Sequence, residues 1–381
     1  MEIGRLHVEI GRLHYFAAML YAYGISNPIA QILYSIMYIA GLSVYCIEKS
    51  KRKLLSVVII LILLLYSFLI IPGTFEAITG PDFSKSLIVL LLFVYFPIFL
   101  ISSSSQFRFD DAFPVLYHFS LIVNCLCVLA YISQAFFSGT GLQEYMTFAY
   151  TGLSSIMIGF YYSYKQKHFL GIIISTLSCL TVVLGGCRGA LLTITVFLSL
   201  ILIFNVKKNS SRFIIIISAI LLFLNINTVI SITGDILGQF GYESRILQLL
   251  ENEELVESEG RDLVFQKALS IISPLGHGIF SDRILLEHVS DAVYCHNIIL
   301  EILVDFGIFT GGAILGIILI ACIKSIRLNT IKYNLSHTFL VYYSISMIFV
   351  KYMLSSSYLI SPEIALIFAW YLKNSVDKMN K

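Results

Sequence analysis

Long runs of apolar residues, separated by short polar segments, fill most of the chain. A helix needs about 20 such residues to cross a hydrocarbon core of about 30 Å. The runs are continuous and do not alternate at every second residue, so they predict helices and not the strands of a barrel. Eleven spans are predicted, at residues 29–47, 54–71, 83–101, 113–137, 145–164, 169–184, 190–204, 213–232, 297–323, 337–354 and 358–372.

A shorter apolar run at residues 15–26 is a twelfth candidate. The predicted fold class is therefore an all-α polytopic membrane protein with 11 or 12 transmembrane helices. Composition agrees, because the chain is 58% hydrophobic and 13% charged, whereas about 25% of the residues of a soluble domain are charged.

One hydrophilic stretch, residues 231–296, interrupts the apolar pattern, and we call it the polar loop. It contains eleven acidic and four basic residues. Apolar positions with helical spacing predict two short amphipathic helices inside it, at residues 243–250 and 261–272. The chain is thus divided into an N-terminal transmembrane bundle (1–230), the polar loop, and C-terminal transmembrane helices (297–381), all within one integral membrane domain.

The distribution of positive charge predicts the orientation of the chain. Loops rich in Lys and Arg stay in the cytoplasm, and these loops fall on one side of the alternating path: residues 49–53, 165–168, 207–212, 324–332 and 373–381. The polar loop and the short turn at 185–189 are therefore predicted on the outer face.

Three arginines are candidates for an anion site on that face. Arg188 lies between two apolar runs at the N-terminus of a helix, where backbone N–H groups favour anions. A guanidinium there is suited to a phosphate or pyrophosphate; the alternative is an interfacial arginine that reaches the lipid headgroups. Arg245 and Arg261 lie in the polar loop, where local salt bridges are the alternative. Arg261 is the stronger candidate because it begins the second amphipathic helix.

His296 is the candidate general base, since an imidazole titrates near neutral pH and can accept a proton from a hydroxyl. Polar anchoring at the membrane interface is the alternative role, and His277 and His288 are competing candidates. Asn297 follows His296, and Glu301 is four to five residues further on, so we expect Glu301 to face the same side of the helix and to orient the imidazole.

The sequence lacks a P-loop, a nucleotide fingerprint, a metal-ligand cluster and a GxSxG motif. Neither ATP nor a catalytic metal is therefore expected, and the substrate should carry its own leaving group. Two cysteines, Cys187 and Cys295, each adjoin a candidate site residue on the predicted outer face. We expect them to approach each other closely. A disulfide between them would then be allowed, because that face is oxidising.

An ordered set of short motifs resembles the O-antigen ligase/polymerase superfamily of the Wzy and WaaL types. The motifs are Gly186 to Leu192 (GCRGALL), Ser244-Arg245, Gly260-Arg261, Pro274-Leu275-Gly276-His277-Gly278, and His296-Asn297 with Leu300-Glu301 and Gly307. Two positions depart from the family pattern: Cys187 replaces the usual Ser or Asn, and Phe265 replaces a Trp.

The resemblance implies a metal-independent glycosyltransferase of the GT-C kind, without a cofactor, in the bacterial inner membrane. Its site would face the periplasm and take undecaprenyl-pyrophosphate-linked oligosaccharide. By position, Arg188 and Arg261 would hold the pyrophosphate, Arg245 would assist, and His296 would be the general base. Asn297, Glu301, Gly276 and Gly278 are the supporting residues.

The stretch at residues 145–150 resembles the polymerase type, so we expect a Wzy-type O-antigen polymerase. Expected partners are the lipid-linked oligosaccharide, the bilayer and a chain-length regulator, with no nucleic acid. A ligase that attaches the glycan to lipid A-core is the alternative. A lipid-linked oligosaccharide flippase is a third class, disfavoured because no internal repeat is visible.

Overall fold

A computed structural model describes residues 109–137, 145–184, 187–205, 261–286, 294–329 and 335–355, together with residues 228 and 289 and part of 357–370. Most of these residues form helices, and no strand occurs among them. The described ranges therefore confirm an all-α architecture. The predicted runs 15–26, 29–47, 54–71 and 83–101 and the helix 243–250 lie outside the described residues, as does the run 213–232 apart from residue 228.

The helices follow the apolar runs closely. They are α1 (Phe109–Phe137), α2 (Tyr145–Gln166), α3 (Phe169–Leu184), α4 (Arg188–Asn205), α5 (Arg261–Ile271), α6 (Ser281–Leu285), α7 (Ile298–Phe306), α8 (Gly312–Asn329), α9 (Leu335–Ser346) and α10 (Tyr352–Leu354). A π-helical turn, Gly307–Gly311, joins α7 to α8, and a second one, Met347–Lys351, joins α9 to α10. The predicted amphipathic helix 261–272 is confirmed as α5.

One helical stretch among the described residues, Ile298–Ile323, has both the length and the apolar character needed to cross a bilayer. Three shorter apolar helices, Phe113–Leu129, Phe169–Val183 and Gly189–Phe204, accompany it. They are compatible with a membrane protein, whereas the number of spans, the division at 230 and 296, and the orientation stay predictions.

The chain divides into two compact units. The first contains Met1–Ala112, Ser258–Lys332 and Tyr352–Lys381, and the second contains Phe113–Glu257 and Tyr333–Lys351. In the second unit, α2 packs on α3 and α4, and α9 packs on α2 and α4. Its core is aromatic: the ring of Phe339 lies 4.9 Å from that of Phe113 and 5.5 Å from that of Tyr161.

The first unit has a small core of its own, in which α5 and α6 pack on α7. Val264 and Ala268, four residues apart on α5, are buried against Leu286, Cys295 and Val304. The helical spacing predicted for 261–272 thus corresponds to a real apolar face. This core holds part of the polar loop against the first turns of the apolar stretch Ile298–Ile323.

Candidate functional site

A loop after α5 is joined to the end of α7 by backbone hydrogen bonds in both directions. The four bonds are His277 N to Val304 O (2.9 Å), Gly278 N to Asp305 O (2.9 Å), Ile308 N to Ser273 O (3.0 Å) and Phe309 N to Pro274 O (3.3 Å). Two helix amides are therefore directed to the loop. The helix is π-helical at this point, and π-turns are frequent at functional sites.

Two glycines make this close approach possible. Gly276 and Gly307 have φ values of 86° and 74°, a region that other residues rarely adopt. A Cβ atom on Gly276 would lie 2.5 Å from the amide nitrogen of Gly307 and 2.6 Å from the carbonyl carbon of Phe306. Gly278, at φ 105°, donates one of the four bonds. The two predicted supporting glycines, Gly276 and Gly278, thus pack the loop against α7.

Asn297 caps the N-terminus of α7. Its Oδ1 accepts hydrogen bonds from the amides of Ile299 (3.0 Å) and Leu300 (3.2 Å), and two of the amides that a helix start leaves without partners are thereby satisfied. Its Nδ2 donates to the carbonyl oxygen of Met353 at 3.5 Å. Asn297 therefore links the start of one helix to the end of another.

Arg261 reaches the same helix end. Its Nη1 donates to the carbonyl oxygen of Leu354 at 3.3 Å, and the residue is half-buried. Met353 and Leu354 belong to the last turn of the helical run 335–354, where carbonyl groups lack intrahelical partners and a cation is favourable. The structure thus brings two predicted site residues, Arg261 and Asn297, to consecutive carbonyl groups.

His296 immediately precedes the capped helix in an uncommon conformation. Its φ is 51°, in the left-handed region that non-glycine residues seldom occupy. The imidazole packs on the ring of Tyr294, with 4.0 Å between the ring centroids. The competing His277 lies with Nε2 2.6 Å from the carbonyl oxygen of Ile271, so it is tied to the end of α5. His288 lies outside the described residues.

Glu301 is fully buried, but its contacts differ from those expected. Its carboxylate accepts hydrogen bonds from the hydroxyl of Ser357 and from the amide of Tyr358 at 3.3 Å. The expectation that Glu301 orients the imidazole of His296 is therefore wrong. Four residues further on, the fully buried Asp305 accepts a hydrogen bond from the hydroxyl of Tyr358 at 3.0 Å.

Sequence reasoning did not find Asp305, Ser357 or Tyr358. A signal was present for Asp305, because it is an acidic residue inside an apolar run, one helical turn after Glu301. No local signal marks Ser357, which is 56 residues from Glu301 in the chain. Contacts of this kind become visible only when the helices are placed together.

Asp282, at the start of α6, is buried and fixes the residue before His296. Its Oδ2 accepts a hydrogen bond from the amide of Cys295 at 3.1 Å. Burial raises the pKa of Asp282 above its ordinary value. The pKa of the Cys295 thiol is also raised, mainly by burial and next by the nearby charge of Asp282. Cys295 is a free thiol. Cys187 belongs to the second unit, so the expected approach of the two cysteines stays a prediction.

The structure describes less of the two other predicted anion ligands, Arg188 and Arg245. Arg188 is the first residue of α4, which agrees with the predicted helix N-terminus, and it belongs to the second unit. Arg245 lies outside the described residues. In the ranges that the structure describes, no group of three or more His, Cys, Asp and Glu side chains is arranged to hold a metal ion.

Comparison with known proteins gives one finding. A family model described as O-antigen ligase matches residues 173–315. The matched range includes Arg188, Arg245, Arg261 and His296, and it ends before the helix end that Arg261 and Asn297 contact. No curated protein and no solved structure matches the chain. The match supports the resemblance to the O-antigen ligase/polymerase superfamily, and it does not separate ligases from polymerases.

Proposed function

We propose that the protein is a membrane glycosyltransferase that transfers a glycan from undecaprenyl pyrophosphate to a sugar hydroxyl, acting as an O-antigen polymerase. The observation that carries the proposal is the family match over 173–315, which contains every residue chosen for the chemistry from sequence alone. The contacts of Arg261, His296 and Asn297 within one unit support it. No nucleic acid takes part.

The proposed reaction needs a base and an anion site. The imidazole of His296 removes the proton from the acceptor hydroxyl, and the oxygen attacks the anomeric carbon of the donor sugar. The bond from that carbon to the pyrophosphate oxygen breaks, and undecaprenyl pyrophosphate leaves. Arg188 and Arg261, assisted by Arg245, stabilise the negative charge that grows on the leaving group. The leaving group is already activated, so ATP is not required.

Ligase activity is the second candidate, and the description of the matched family favours it. A ligase would transfer the finished glycan to lipid A-core, whereas a polymerase extends a lipid-linked repeat. Deletion and complementation in a host that makes the polysaccharide separate the two. Loss of long chains with single repeats still attached indicates a polymerase, and loss of all attached glycan indicates a ligase.

Point variants test the residue assignments in the same assay. Arg188→Ala, Arg261→Ala and His296→Ala should each abolish long-chain product while protein remains in the membrane. Lys267→Ala is the matched control, since Lys267 is an exposed cation on the same helix as Arg261. A normal glycan ladder from any of the three site variants would reject the role given to that residue.

The proposed orientation has its own test. A reporter inserted into the full-length chain near residue 255 should be active only outside the cytoplasm of a bacterial cell. A cytoplasmic signal at that position would reject periplasmic chemistry at the polar loop, because the loop residues could not then meet the donor on that face.

A further inference from the structure

Three residues singled out by their motifs all contact one segment near the C-terminus, of which the structure describes residues 353–355 and 357–359, and which we call the 353–359 segment. Arg261 and Asn297 donate hydrogen bonds to its carbonyl groups at Leu354 and Met353. Glu301 accepts from the hydroxyl of Ser357 and from the amide of Tyr358. The matched family range ends at residue 315, so neither the match nor the motifs assign any role to this segment.

These contacts follow the helix that begins immediately after the candidate base. Asn297, adjacent to His296, is held through Met353, and one turn later Glu301 is held through Ser357 and Tyr358. A further turn along the same helix, Asp305 accepts from the hydroxyl of Tyr358. The segment therefore contacts α7 at its cap and along its first two turns.

We propose that the 353–359 segment is part of the transfer site and that Ser357 and Tyr358 are positioning residues for the proposed reaction. Through their hydrogen bonds to Glu301 and Asp305, they hold α7 in position. His296 and Asn297 lie at the start of that helix. Arg261 contacts the same segment, so the segment fixes the distance between the proposed base and one proposed pyrophosphate ligand. This inference rests on the proposed function.

Burial makes these contacts effective. Glu301, Asp305 and Ser357 are at most 1% exposed, and Tyr358 is 8% exposed. Hydrogen bonds to ionisable groups away from water are stronger than those between neutral groups at the surface. Removing one hydroxyl leaves a buried carboxyl group with one donor fewer, so the helix start should shift or loosen rather than exchange the lost bond for water.

The test compares Ser357→Ala, Ser357→Thr and Tyr358→Phe with Ser346→Ala in glycan transfer by the purified full-length protein. Ser346 is a buried serine whose hydroxyl donates to the carbonyl of Tyr342 in its own helix, so it reports the cost of losing a buried hydroxyl. We expect kcat to fall about tenfold or more in Ser357→Ala and Tyr358→Phe, with the donor KM changed less than threefold. Ser357→Thr should retain most of the activity because it keeps the hydroxyl.

Hydrogen exchange at the amides of Ile299 and Leu300 provides a readout that needs no turnover. These amides are bound by the Asn297 side chain, so exchange should accelerate in Ser357→Ala and not in Ser346→Ala. If the wild-type protein is active and the Ser357→Ala and Ser346→Ala variants have equal kcat values, the inference is refuted and the proposed function stands. Faster exchange without loss of kcat has the same consequence. A wild-type protein that transfers no glycan refutes the proposed function, and with it this role for the segment.

Discussion

Substitution of Gly276 by alanine should break the connection between the polar loop and α7. The added Cβ would lie 2.5 Å from the amide nitrogen of Gly307 and 2.6 Å from the carbonyl carbon of Phe306. Both neighbours are backbone atoms inside a helix, so no side-chain rotation can relieve the overlap. The loop must move away, and the hydrogen bonds that it makes with the helix must lengthen.

The expected loss of stability in Gly276→Ala has two contributions. An alanine forced into the left-handed region costs about 1–2 kcal/mol. Loss of two of the four loop-to-helix hydrogen bonds costs about 1 kcal/mol each. The sum of about 3–4 kcal/mol is a large part of the 5–15 kcal/mol by which proteins are typically stable. A fall in the melting temperature on the order of 10 °C is expected.

Gly316→Ala is the matched control. Gly316 lies within α8, and no atom of the described residues lies within 4 Å of the Cβ that would be added there. Alanine is favoured over glycine in a helix interior by roughly 0.5–1 kcal/mol, so this variant should be unchanged or slightly more stable. Thermal unfolding of both variants in detergent, followed by size-exclusion fluorescence, measures the difference. Equal melting temperatures for Gly276→Ala and Gly316→Ala would refute the packing role assigned to the loop.

Three further substitutions test other contacts by thermal unfolding. Asn297→Ala should cost about 1 kcal/mol through loss of the helix cap, and Asn297→Asp, which keeps an acceptor, should lose less; equal losses would argue against capping. Burial raises the pKa of Asp282 above its ordinary 3.8, so the native state binds that proton more tightly and stability falls as pH rises from about 4 to the raised pKa. Asp282→Asn should therefore match wild type at pH 4 and equal or exceed it at pH 7, and a deficit that appears only at pH 7 would contradict the direction of the shift. Gly171→Ala places a methyl group against the hydroxyls of Ser163 and Tyr117, which are hydrogen-bonded at 3.2 Å; it should cost about 1 kcal/mol, less than at the loop glycine, and a larger loss would show that the side chains cannot move aside.

The helix ends were predictable where composition changes sharply. The predicted amphipathic helix 261–272 is found at Arg261–Ile271, because Val264 and Ala268 have the spacing of one helical face and Pro274 stops its continuation. The predicted run 337–354 ends at Leu354 as expected. Both predictions depended on local pattern alone, which is what apolar periodicity reports.

The two π-helical turns were not predictable from the same pattern. The turn at Gly307–Gly311 accompanies the donation of two helix amides to the loop at Ser273 and Pro274, and a hydropathy pattern contains no information about a partner so far along the chain. The site shows the same division. Arg261, Asn297 and Glu301 were recognised as unusual, but the partner predicted for Glu301 was wrong. Its partner Ser357 follows a different helix, 56 residues away in the chain.

The dependence of Glu301 and Asp305 on donors from the C-terminal part of the chain affects how membrane topology can be mapped. Reporter enzymes are often fused to progressively shortened membrane proteins. Any fusion that ends before Ser357 removes the donors to two fully buried carboxyl groups, and buried acceptors without donors destabilise a fold. Such a chimera would report the insertion of an altered molecule, so tags placed inside the intact chain are the appropriate markers for this protein.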